Sequence, residues 1–138
     1  MPYSLAMPVL VVDDYKTMVR IIQNLLDEIG FKNLHGANDG AEAYKKMKTT
    51  QFGLVLADWN MEPMSGFDLL CKVRADEALK AIPFILVTAE SRPEKVIEAK
   101  EAGVNNYIVK PFTAQTLKQK IATVLAPPGR DPRVWWFG

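Results

Sequence analysis

Residues Leu54–Gly66 read LVLADWNMEPMSG. An apolar run leads straight into Asp58, and Pro63 and Gly66 follow within a few positions. A short continuous run of this kind suits a strand covered on both faces. The carboxylate at its end faces desolvation. It is therefore either a turn residue or a group placed there to react, and the rest of the chain decides between the two.

Four further apolar runs flank this one: VLVV at 9–12, the weaker NLHGA at 33–37, FILVT at 84–88 and YIV at 107–109. With GLVLA at 53–57 they make five, and three of them are nearly continuous in Val, Ile and Leu. The intervals between them suit helical crossovers. Met18, Ile21, Ile22, Leu25, Leu26 and Ile29 repeat at helical spacing, and Gly30 closes that helix. Asp39 with Glu42, and Ser91 with Glu94, have the spacing of capping boxes. Ser65 is placed to cap a third helix and Thr113 the last, with Leu117, Ile121, Val124 and Leu125 facing inward. The order is βα repeated five times, which predicts a doubly wound α/β fold with a parallel sheet and helices on both faces.

The 138 residues suffice for one domain with a real core. Seventeen basic against sixteen acidic residues give a net charge of +1, with no overall pull toward nucleic acid or a membrane surface. The lone Cys71 excludes an internal disulfide and any cysteine metal site, and its helical neighbours suggest a small core residue. The start, MPYSLAMP, has no secretory pattern, and no apolar run reaches the roughly 18 residues of a membrane helix. A cytoplasmic protein without membrane insertion is the expectation.

The strand ends carry the chemistry. The first run ends in Asp13-Asp14, the third in Asp58, the fourth in Thr88 and the fifth in Lys110. In a parallel sheet these carboxyl ends share one edge, where open α/β sheets bind their ligands. Three carboxylates together repel and call for a cation, and an all-oxygen set suits a hard one such as Mg²⁺. Lys110 adds a compact positive charge and Thr88 a hydroxyl donor. A carboxylate nucleophile, a divalent metal, a lysine and a hydroxyl are parts for phosphoryl transfer.

Each residue also has a plainer reading. Asp13 and Asp14 can cap the first helix. Lys110 alone is by type an exposed lysine, and Thr88 is at home as a β-branched strand residue. Tyr107 is more often core or rim than anything active. His35 has no second ligand nearby and receives no catalytic role. Trp59 reads as a packed wall.

The segments VLVVDD, NLLDEIGF, ANDGAEA, LADWNM, FILVTAES and IVKPFTAQTL together resemble the response-regulator receiver domains, and among them the single-domain chemotaxis regulators. The resemblance runs from about Met7 to Leu125. It implies a flavodoxin-like five-stranded parallel sheet of order 2-1-3-4-5 with five helices; the order comes from the resemblance alone. It implies that Asp58 accepts a phosphoryl group from a histidine kinase. Asp13, Asp14 and Asp58 would hold Mg²⁺ with the backbone carbonyl of Asn60, while Thr88 and Lys110 bind the phosphoryl oxygens. Thr88 and Tyr107 would form the switch, Asn60 and Glu90 would set the phosphate lifetime, and the Lys110–Pro111 bond would be cis. Val96, Lys100, Tyr107 and Lys120 would form a partner face. The loop departs from the family pattern, with Glu62 after Met61, Pro63 one position later, and Ser65 where Asp is common. Its length is unchanged, so the metal site is expected to survive.

The expected receiver domain spans residues 1–126, and residues 127–138 form a Pro- and Trp-rich tail. Arg130, Arg133, Trp135 and Trp136 suggest first docking on a partner; folding back or dimerisation are alternatives, and nucleotide binding ranks last. No DNA-binding output is expected. The expected output is contact with a downstream protein, a flagellar motor switch or another signalling protein. Two rival classes fare worse. An aspartyl phosphatase would want an acid where Asn60 stands, and a flavin domain would want a phosphate loop where DDYKTM is acidic.

Overall fold

The computed structural model describes residues 4–89 and 92–125. Strands and helices alternate: β1 (Val9–Val12), α1 (Lys16–Ile29), β2 (Leu34–Ala37), α2 (Gly40–Thr49), β3 (Leu54–Asp58), α3 (Gly66–Arg74), β4 (Phe84–Thr88), α4 (Pro93–Glu101), β5 (Asn106–Val109) and α5 (Ala114–Val124). The five strands form one parallel sheet of order β2-β1-β3-β4-β5.

Successive strand residues point to opposite faces, so the continuous apolar runs feed two cores. Leu10, Val12, Val55, Ala57, Phe84 and Leu86 face α2, α3 and α4, whose Met47, Leu69, Leu70, Val73 and Ala99 cover them. Val9, Val11, Leu54, Leu56, Ile85 and Val87 face the other way, under Val19, Ile22 and Leu26 of α1 and Leu117 and Ile121 of α5. Each fully buried Leu or Ile contributes about 1.5–3 kcal/mol relative to exposure. The weak pattern of β2 follows from its place at the sheet edge, where three of its four residues are only half-buried.

The helix ends are built locally. Gly30 closes α1 at φ 126°, a backbone geometry that favours glycine, and its N–H reaches Asp27 and Leu26 carbonyls. Asp39 Oδ1 accepts from Glu42 N–H at 2.7 Å, while Glu42 Oε1 accepts from Asn38 N–H rather than from Asp39 itself. Ser65 and Asp68 form a full capping box at α3, and Thr113 caps α5 by accepting from Thr116 N–H. The Ser91 cap lies outside the described residues.

Two expectations are corrected, and one alternative reading is set aside. Cys71 is exposed. The inward stripe of α3 is Leu69, Leu70 and Val73, and at about 100° per residue position 71 falls on the opposite side. Ile21 is also exposed, because α1 turns Val19, Ile22 and Leu26 inward and leaves Ile21 outside that stripe. Asp13 and Asp14 do not cap α1: its N-cap is Tyr15, which makes no side-chain cap bond. No helix among the described residues is long and apolar enough to cross a membrane.

Candidate functional site

The carboxyl edge of the sheet brings the polar strand ends together. Asp58 is the last residue of β3 and Thr88 the last of β4. Asp13 directly follows β1, and Lys110 directly follows β5. Backbone bonds lock these ends in register: Trp59 N–H donates to Val87 O at 2.8 Å and Lys110 N–H to Thr88 O at 2.7 Å. The Lys110–Pro111 peptide is cis, as is Glu62–Pro63 in the loop that departs from the family pattern.

Lys110 Nζ lies 2.9 Å from Asp58 Oδ1 and 3.6 Å from Asp13 Oδ2. Asp13 and Asp58 are 2% and 5% exposed, whereas Asp14 is exposed. One carboxylate oxygen from each of the three lies within 4.8 Å of the others. Asp13 is held in place by Tyr15 N–H, which donates to Oδ1 at 3.0 Å, and by its own N–H to Ala37 O at 3.2 Å.

Burial pushes the Asp58 carboxyl above its ordinary range; the Lys110 ammonium works against that shift and the Asp14 charge adds to it. Burial raises Asp13 in the same way, opposed by the Tyr15 N–H and assisted by the charge of Asp58. Asp13 Oδ2 and Asp58 Oδ1 are both buried, and the single Lys110 ammonium is the cation that faces them, close to Asp58 and farther from Asp13. Two buried carboxylates sharing one ammonium, beside a third carboxylate, form an all-oxygen set with excess negative charge, so the residues fit a hard divalent cation.

The remaining predicted residues divide. Thr88 is 1% exposed at the same edge. The side chain of Asn60 is exposed, and its backbone N–H faces Asp58. Val96 and Lys100 on α4, Tyr107 on β5 and Lys120 on α5 belong to three consecutive elements beside the site. Tyr107 is half-buried, with Lys120 Nζ 5.5 Å from its ring centroid. Trp59 stacks on Phe67 at 5.3 Å, a packed wall as expected. Glu90, Arg130, Arg133, Trp135 and Trp136 lie outside the described residues.

The sequence reading missed two contributors. A Cβ at Gly66 would stand 2.2 Å from the Asp58 carbonyl oxygen, so only glycine lets α3 start this close to the acidic strand end. The Ser-Gly pair before a helical pattern was the available signal. Asn106 is 1% exposed and its Oδ1 accepts from Tyr107 N–H at 2.8 Å; nothing in the local pattern marks it.

Residues 9–122 match the family model described as the response regulator receiver domain. The chain is 53% identical over 115 residues to chemotaxis protein CheY-3 of Vibrio cholerae, covering 83% of this chain and 88% of that protein. It is 52% identical over 118 residues to chemotaxis protein CheY of Pseudomonas aeruginosa, covering 86% and 95%. The solved structure of Vibrio cholerae chemotaxis protein CheY4 superposes with a TM-score of 0.80 at 33% identity, covering 86% of this chain and 98% of that one. With strand order, acidic edge and sequence in agreement, the chain belongs to the response regulator receiver domain family.

Proposed function

We propose that Asp58 is the residue through which this response regulator receives its signal, taking a phosphoryl group from the phosphohistidine of a histidine kinase. A carboxylate oxygen of Asp58 attacks phosphorus, the phosphorus–nitrogen bond of the donor breaks, and its electron pair leaves with the imidazole. An acyl phosphate on Asp58 results. The ammonium of Lys110, already 2.9 Å from Asp58 Oδ1, neutralises the charge that builds on the phosphoryl oxygens. The hydroxyl of Thr88, at the end of the adjacent strand, donates to one of those oxygens.

Asp13, Asp14 and Asp58, with the backbone carbonyl of Asn60, would hold Mg²⁺, which when bound neutralises and orients the phosphoryl oxygens. Asn60 and Glu90 tune the lifetime of the acyl phosphate. The role is that of a signalling module, with catalysis confined to its own phosphorylation and dephosphorylation.

The signal leaves as a shift between two conformations. Thr88 moves toward the phosphoryl group, Tyr107 turns inward, and the face of Val96, Lys100, Tyr107 and Lys120 changes its affinity for a downstream protein. That partner is a flagellar motor switch or another signalling protein; the chemotaxis relatives favour the first. A cytoplasmic setting fits these partners.

The single observation that carries this reading is the ion pair of Lys110 with a buried Asp58 inside an acidic triad. Incubation with Mg²⁺ and a small acyl phosphate is expected to add one phosphoryl group to the intact mass, and Asp58→Asn to abolish the addition. An adduct that persists in Asp58→Asn moves the acceptor elsewhere.

A further inference from the structure

We infer that Lys120 is a latch on Tyr107, holding the ring in its half-buried position until Asp58 is phosphorylated; the inference rests on the switch role proposed for Tyr107. One buried atom organises the contact. Asn106 Oδ1 accepts from Tyr107 N–H at 2.8 Å and lies 3.5 Å from Lys120 Nζ. The same ammonium stands 5.5 Å from the centroid of the Tyr107 ring, within reach of a cation–π contact. Asn106 is 1% exposed, so its amide is a fixed anchor rather than a mobile surface group.

Lys120 reaches this position because of its place on α5. Leu117 and Ile121 bury that helix against the sheet, and Lys120, between them in sequence, emerges at the border of core and solvent, partly buried. Burial lowers the pKa of its ammonium, the mark of a cation that has given up part of its water. An ammonium short of water gains more from an aromatic face and an amide oxygen than one in bulk solvent does.

The ring in its present position keeps the cation over its face. On this inference the turn toward Thr88 carries the ring away from the cation, so the contact favours the unphosphorylated arrangement. Loss of such a contact is worth about a two- to fivefold change in the equilibrium between the two positions. Lys120 is thus a positioning residue that acts through Tyr107 and touches no reacting atom.

The test uses the full chain with isotopically labelled tyrosine rings, the Tyr107 signal being assigned by its loss in Tyr107→Phe. Lys120→Met keeps an apolar stem and removes the charge, and Lys120→Arg keeps the charge. In unphosphorylated Lys120→Met the Tyr107 signal is expected part-way toward its position in the phosphorylated wild type. The rate of phosphorylation by a small acyl phosphate is expected to rise about two- to fivefold, with Lys120→Arg close to wild type on both counts. A Lys120→Met protein with wild-type phosphorylation rate overturns the latch, whatever small displacement its ring signal shows. A wild-type Tyr107 signal that does not move on phosphorylation overturns the switch reading itself and the latch with it, an outcome distinguishable from the first because it needs no variant at Lys120.

Discussion

The Lys110 ammonium lies 2.9 Å from Asp58 Oδ1, and these two residues close the acidic edge from opposite directions in sequence. The same ammonium is 3.6 Å from Asp13 Oδ2, so one cation serves two buried carboxylates, with the charge of Asp14 still to be balanced. The imbalance favours binding of a cation and is costly while none is bound.

That cost predicts a gain on removing a charge. In the presence of a chelator, Asp58→Asn is expected to raise the melting temperature by about 2–5 °C, because one of three mutually repelling carboxylates is neutralised and Lys110 keeps Asp13. Thermal unfolding followed by circular dichroism reads the change. A clear fall in melting temperature would contradict the crowding picture.

Trp59 lies directly after Asp58 and stacks on Phe67, which makes it a reporter of the acidic edge. Titration with Mg²⁺ is expected to quench its fluorescence, and Asp14→Asn to shift the midpoint to higher Mg²⁺ concentration. Trp59→Phe supplies the background from the other two tryptophans. An unchanged midpoint would remove Asp14 from the ligand set.

Gly66 is a steric rather than a chemical requirement. The Cβ of Gly66→Ala would press on the Asp58 carbonyl and come within 3.1 Å of Leu86 Cδ2, so the strand end or the helix start must shift. The expected cost is about 1–3 kcal/mol of stability. If Asp58 is the acceptor as proposed, a displacement near 1 Å there is expected to slow phosphorylation by an order of magnitude or more. Denaturant unfolding and the acyl phosphate labelling rate measure the two effects separately, and retention of the wild-type rate would show that the acceptor tolerates the shift.

Asp76 contributes to the acid limb of stability. It pairs with Lys48 at 2.8 Å, accepts from the Tyr44 hydroxyl and accepts from Ala78 N–H at 2.8 Å, which together tie α2 to the end of α3. The Lys48 and Tyr44 bonds hold its pKa at about 2, below the ordinary 3.8. A folded-state pKa below the unfolded value gives stability that is complete above pH 3.8 and is lost as pH falls through about 2. Asp76→Asn is expected to lower the melting temperature at neutral pH and to flatten its decline across that acid window. Parallel curves for variant and wild type would rule the contribution out.

The succession of five βα units was legible in the sequence because burial leaves a local record. Strands closed on both faces must be apolar throughout, as VLVV and FILVT are, and helix ends must satisfy their amides, as Asp39, Ser65 and Thr113 do. The polar residues at the strand ends were legible for the same reason, since Asp58 and Lys110 interrupt or end apolar runs. The edge strand β2 was faint because half of its surroundings is solvent.

Tertiary structure decided what no local pattern records. Periodicity placed Cys71 and Ile21 on helices, but only packing fixed which side of α3 and α1 meets the sheet and left both residues outside. The pair Asp13-Asp14 reads as two equal carboxylates, yet the turn after β1 buries the first and exposes the second. The approach of Gly66 to the Asp58 carbonyl, the reach of Lys110 to two carboxylates and the contact of Lys120 with Tyr107 and Asn106 join elements set beside one another by strand order and register. The sequence by itself determined which residues could be buried and which backbone shapes they take, because those depend on neighbours along the chain. Distances between remote side chains depend on how the elements stack, and only the folded sheet supplies them.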